Sequence, residues 1–410
     1  MRKFYVITVV SIGLLILSVC WDTKPNSPHT TNAQSLTQFS VKVLLDDSVR
    51  KISFNPRDDY RIINSETTEV LYTVTAGDFV EITAQNNCIM VGPKNYNAKH
   101  LTFQPAGSHP FAINDNEMYR GSLELIANSD NTLMVINDVS LEEYLEGVVA
   151  SEMPSYWETE ALKAQAIAAR TYVLFIKSKF GAKRLWDVKG TQANQVYRGM
   201  RAETLRTTDA VLSTSGMVLT CWQQDWEIFP TYYSSVCGGH TEDSENVFGD
   251  SYETLHGVDC PWCRLNTKPV LFYWPDATYD LKDISESIFA RYPDLRELGE
   301  IVKVEVKDES KYPNGLTRIT GVKLTGSEGK IGFLRAEDFR LVIDPTGSKI
   351  QSTCCTIISM RDDVLFISGR GFGHGVGLCQ YGAREMARQG KTYKEILDFY
   401  YPGNRIKILY

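Results

Sequence analysis

From Val41 to Asn137 apolar and polar positions alternate in short runs, VKVLL, KISF, RII, EVLYTV, FVEITA, CIMV, LELIA and LMVI, separated by Asp, Asn, Gly and Pro. A period of two predicts strands with one buried face, and the separators predict turns. At Ser140 the period changes. Leu141, Tyr144, Leu145, Val148 and Val149 recur at the three-and-four spacing of one helix face. Ser140 and Glu143 have the form of a capping box, which predicts a helix starting near Leu141. Pro154 disfavours helical geometry at Met153 and predicts its end. In a second helix, Glu158 and Glu160 suit the positive amino end, and Leu162, Ala166, Ala169, Val173 and Ile176 draw the apolar stripe. Alanines at 161, 164, 166, 168 and 169 favour helix and let a partner backbone pack close. Between the helices lies an elbow carrying Glu152.

Beyond this pair, residues 181–208 are polar and irregular, and DAVLSTSGMVLTCW returns to helix-then-strand character. Leu271 to Leu298 contains a helical stretch, Ile301 to Phe366 is strand-like with GLTRITGVKLTG as a hairpin candidate, and Ala383–Arg388 and Lys394–Tyr400 read as short closing helices. The expected class is α+β: a mixed, β-rich body around the two-helix element, with a β-rich accessory region in front over 39–117 and the main domain over 118–410, interrupted by an insertion at about 265–330.

With 410 residues and 43% apolar content the chain can bury a proper core. A net charge of −7 and the lack of a basic run argue against nucleic acid as a partner. Arg2 and Lys3 precede an apolar run from Phe4 to Val19, the layout of an export signal and short for a full span. Residues 1–21 therefore read as a signal sequence or as a lipid or membrane anchor, Cys20 being a degenerate match to a lipoprotein processing site. Residues 22–38 read as a polar tether. The expectation is a protein exported to the envelope side of the membrane, touching the bilayer only through that anchor.

Candidate chemistry falls in three places. The carbonyl end of the first helix faces Glu152 and disfavours its ionisation, which suits a general acid; a solvated elbow glutamate is the plain alternative. Nine cysteines include Cys237-x-x-His240 and Cys260-Pro-Trp-Cys263, whose gaps let four side chains converge on one structural zinc. Outside the cytoplasm the same cysteines could pair as disulfides, and Cys260 with Cys263 could form a redox dithiol. His256 is a spare ligand, and Cys88, Cys221, Cys354 and Cys355 read as small buried residues. In GRGFGHGVGLCQYGA the near-alternating glycines lack the lysine and hydroxyl of a phosphate-binding loop, so no organic cofactor is expected. Such a backbone suits the border of a sugar groove, with His374, Gln380 and Tyr381 as polar and aromatic contacts, or with His374 only bonding neighbouring backbone.

SEMPSYWETEALKAQAIAARTY, from Ser151 to Tyr172, resembles the hallmark of the stage II sporulation protein D family, which binds or cuts the glycan strands of bacterial peptidoglycan. The block from Gly369 to Gly403 resembles its second hallmark, and FPTYYSSVCGGHTEDSENVFG, from Phe229, a third. The resemblance implies Glu152 as the catalytic acid. It further implies Arg170, Tyr233, Ser234, His374, Gln380 and Tyr381 as substrate-binding residues. Cys379 stands where the family usually has serine and Phe372 where tryptophan is common. Two functions follow as expectations: a lytic transglycosylase that leaves a 1,6-anhydro end, and a non-catalytic peptidoglycan binder that enhances a cell-wall amidase. A thiol oxidoreductase built on Cys260 and Cys263 is a third.

Overall fold

The strand Leu133–Ser140 buries alternate residues and runs without a loop into the helix Leu141–Glu152. The computed structural model describes residues 39–114, 117–222 and 227–410; the export-signal, anchor, tether and Cys20 readings fall outside them. Strand Ser40–Val49 pairs antiparallel with Leu133–Ser140 on one side and parallel with Val188–Lys189 on the other, within a seven-stranded sheet. A six-stranded sheet centred on Lys51–Pro56 and Val80–Gln85 packs beside it. Phe54 of one sheet meets Tyr60 and Phe103 of the other at ring-centroid distances of 5.3 and 5.0 Å. One apolar core continues from these strands through both helices to Tyr400 and Tyr401.

Both predicted helices form, over Leu141–Glu152 and Thr159–Phe180. The five alanines of the second have no exposed surface, as a close-packed core helix requires. The capping box does not form: the Ser140 side chain accepts from none of the first-turn amides, and its hydroxyl donates instead to the Glu143 carboxylate at 2.6 Å. A reciprocal box occurs at Thr392 and Glu395, opening Tyr393–Tyr400.

A second core lies between Trp274 and Phe366. It is built on the antiparallel strands Ile301–Lys311, Thr317–Gly326 and Ile331–Arg335 and the helices Leu281–Arg291 and Ala336–Ile343. The expected hairpin GLTRITGVKLTG is a single strand. Gly321 sits opposite Asp308 where the register of the partner strand shifts, so the glycine marks a bulge and not a turn. The architecture is α+β with several separate sheets. Among the described residues no helix is long and apolar enough to cross a membrane.

Candidate active site and thiol cluster

Glu152 is the last residue of the first helix and lines a cleft of about 520 Å³. Its carboxylate is half-buried and met by oriented donors. The Val196 amide donates to Oε1 at 2.9 Å, the Gln380 side-chain amide approaches Oε2 at 3.4 Å, and the Tyr233 hydroxyl is a third hydrogen-bonding neighbour. Burial raises the Glu152 pKa above the usual carboxylate range, and the three donors only partly offset it. The direction is that expected from sequence; the dominant cause is desolvation, not the helix end.

The donors are themselves held. Tyr144 donates to Gln195 Oε1 at 3.0 Å, and the Gln195 amide donates to the Tyr233 oxygen at 3.1 Å and to the Ala169 carbonyl at 3.2 Å. With its oxygen accepting from Gln195, Tyr233 has its own proton free for Glu152. Burial keeps that phenol far above its ordinary range, so it stays a donor.

Tyr233–Ser234 pairs in parallel with Leu378–Cys379, which sets Gln380 beside Glu152. The glycine loop makes this possible. A Cβ on Gly377, at φ +70°, would lie 2.1 Å from the Tyr232 carbonyl, so only glycine lets these backbones approach. His374 Nδ1 accepts from the Val376 amide at 3.0 Å, which leaves Nε2 protonated and donating to the Tyr233 carbonyl at 2.9 Å. Burial pushes its pKa down to about 4. The ring lines the cleft, but both nitrogens hold backbone, as in the scaffold reading of this residue.

Ser234 also lines the cleft, and its buried hydroxyl has no partner among the described residues. Two other sequence candidates lie elsewhere. Arg170 is fully buried, forks onto Glu142 at 2.7 and 2.8 Å and donates to the Val211 and Met217 carbonyls. Its long side chain closes the helix pair and does not face the cleft. Tyr381 turns away from the cleft onto Trp157, ring centroids 4.8 Å apart.

Sequence reading missed two parts of the cleft. The polar segment after the second helix supplies Asn194, Val196 and Arg198, and the second core supplies Glu337 and Arg340. Arg340 forks onto both oxygens of Glu337 at 2.5 and 2.9 Å, and although burial opposes it, this guanidinium holds the Glu337 carboxyl below its usual range. A backbone amide carries no sequence signal, and a Glu-x-x-Arg pair on a helix reads as an ordinary surface pair.

The cysteine prediction needs one correction. Cys237, Cys260, Cys263 and Cys379 are buried with their sulfurs all within 4.8 Å of one another. His240 is not among them: its Nδ1 bonds the Thr241 carbonyl and its ring stacks on Tyr312 at 3.8 Å. His256 pairs with Asp243. The parallel pairing that sets Gln380 brings in Cys379, whose sulfur accepts from the Cys237 amide at 3.3 Å. Four thiols at this spacing fit a soft divalent ion in a tetrahedral set and could hold one. Of the other cysteines, Cys221 and Cys354 are buried, and Cys88 and Cys355 only partly so.

Residues 129–221, which contain Glu152 and its two helices, match the family model described as Stage II sporulation protein. The chain is 30% identical to an uncharacterized protein of Brachyspira hyodysenteriae over 89% of its own length and 92% of that protein. It is 32% identical to stage II sporulation protein D of Bacillus subtilis, over 66% of this chain and 75% of that one. It is 30% identical to the amidase enhancer of Bacillus subtilis, over 64% of this chain and 40% of that one.

Proposed function

The chain belongs to the stage II sporulation protein D family, and from that premise we propose that it is a peptidoglycan lytic transglycosylase, cleaving between N-acetylmuramic acid and N-acetylglucosamine with Glu152 as acid and then base. The observation that carries this reading is the unequal condition of the two carboxylates lining the cleft. Glu152 has a raised pKa and only neutral donors around it, whereas Glu337 is held below its usual range with both oxygens engaged by Arg340. A hydrolytic glycosidase needs a second free carboxylate as base or nucleophile. With one working carboxylate the attacking oxygen has to come from the sugar.

Burial favours protonated Glu152, which gives its proton to the glycosidic oxygen as the C1–O bond breaks. The donors from Val196, Gln380 and Tyr233 then stabilise the resulting carboxylate. That carboxylate takes the C6 hydroxyl proton as the C6 oxygen bonds to C1. Closure leaves a 1,6-anhydro end, returns the proton to Glu152 and consumes no water.

The match to an amidase enhancer favours a second reading, a non-catalytic peptidoglycan binder that acts through a cell-wall amidase. Incubating the protein with purified glycan strands and looking for anhydro-muramyl ends by mass spectrometry separates the two. Strands bound without such ends would overturn the enzyme reading. The leader-like residues 1–21 support export to the envelope, where this substrate lies. Zinc is the ion that best suits Cys237, Cys260, Cys263 and Cys379. A closed four-thiolate set leaves no open position for water, so its role is folding.

A further inference from the structure

The wall that carries the Val196 amide continues past Glu152. Its backbone is pinned: the Asn194 side chain accepts from the Lys189 amide at 2.9 Å, and Tyr197 donates to Asn137 at 2.9 Å. Gly199, at φ +56°, lies so close to Met118 that a Cβ would sit 2.2 Å from its carbonyl. On this fixed segment Arg198 borders both the Glu152 cleft and a second cavity of about 600 Å³, which Arg201 also lines. Both arginines are exposed, and among the described residues neither has a hydrogen-bond or ion-pair partner. The buried and half-buried arginines nearby are all engaged, Arg120 by Glu203, Arg170 by Glu142 and Arg340 by Glu337. Asp46 and Glu117 face the second cavity as well, Glu117 accepting from the Tyr119 hydroxyl at 3.4 Å.

A guanidinium left free on a rigid wall, two residues from the amide that holds the acid, has the planar fork that matches a carboxylate. We infer that Arg198, with Arg201 behind it, binds a carboxylate of the strand placed in the Glu152 cleft. This rests on the glycan reading of that cleft. Muramic acid offers the group from two sources: its own lactyl carboxylate where the sugar is bare, or the acidic groups of a peptide attached there. Chitin oligosaccharides have the same backbone linkage and neither source.

The test is titration calorimetry on the full chain, wild type against Arg198→Gln, the Arg198→Gln/Arg201→Gln double variant and Arg198→Lys. The ligands are bare glycan strands, peptide-bearing strands and chitin oligosaccharides of equal length. The expected result is roughly tenfold weaker binding of a carboxylate-bearing strand by the double variant, partial recovery in Arg198→Lys, and no change for chitin. A loss confined to bare strands assigns the lactyl group; a loss confined to peptide-bearing strands assigns the peptide. Equal affinities of all proteins for all three ligands would overturn the inference and leave the glycan reading standing. Failure of the wild type to bind any strand would remove the glycan reading itself, and the inference with it.

Discussion

The amide of Val196 donates to Oε1 of Glu152 across 44 residues of sequence, at 2.9 Å. This bond gives the carboxylate a fixed orientation that does not depend on its protonation, because the other oxygen remains the one that can carry the proton. The acid-then-base role proposed for Glu152 would use that arrangement, with one oxygen anchored and one free to exchange a proton.

Glu152→Gln should abolish strand cleavage, since the amide keeps the Val196 bond but has no proton to give. Stability should change by no more than about 1 kcal/mol. The pH dependence of that difference has a definite sign. The folded pKa is raised, so below the ordinary glutamate range the carboxyl is protonated both folded and unfolded, and ionisation costs nothing. As pH rises through the raised value the wild type loses stability that the variant keeps. Denaturant melts of both proteins across that window check it, and a fully active variant would end the catalytic assignment.

The rate of cleavage should fall on the alkaline side as Glu152 ionises, at a pH above the usual glutamate range. Tyr233→Phe removes one donor that favours the ionised form, so its alkaline limb should move to still higher pH. A kcat/KM profile of both proteins measures the shift; coincident limbs would show that Tyr233 does not act on the acid.

His374→Ala should lower the melting temperature and leave strand affinity unchanged, because both ring nitrogens are spent on the Tyr233 carbonyl and the Val376 amide. Unpairing them costs about 1–3 kcal/mol. With its pKa depressed from 6.5 to about 4, the histidine contributes stability that is present above 6.5 and lost as pH falls toward 4. The alanine variant should lack that acid-side loss. Weakened binding with an unchanged melting temperature would restore His374 as a substrate contact.

Cys379→Ser should lower the zinc content of the purified protein and His240→Ala should not, since only Cys379 belongs to the four-thiol group. Elemental analysis beside thiol counts decides it: absence of zinc with these thiols oxidised would replace the metal by disulfides. Chelation should loosen the Tyr233–Ser234 and Leu378–Cys379 pairing, seen as faster amide exchange at Leu378 and Ser234.

How much of this was legible in the sequence follows from how local each signal is. The two helices and their alanine face are written in residues a few positions apart, and they were read correctly. The hairpin expected within GLTRITGVKLTG does not form there, because a glycine within a strand can mean a bend or a bulge, and only the register of Ile301–Lys311 decides which. Cysteine spacing favours neighbours, so Cys237-x-x-His240 looked like a ligand pair while the true fourth thiol lay 142 residues away. Glu152 emerged through motif resemblance. The amide that orients it and the fork that occupies Glu337 did not, because they depend on where two distant segments come to rest.

The two-residue parallel pairing of Tyr233–Ser234 with Leu378–Cys379 also fixes an order of events. Gln380 reaches the acid, and the fourth thiol reaches its three companions, only when that late strand docks on the earlier one. Closing so long a loop is entropically expensive for so few bonds. Through synthesis of the first 377 residues the acid therefore lacks one of its three donors and the cysteines lack their quorum. The third donor to Glu152 and the fourth thiol thus arrive together, through one pairing.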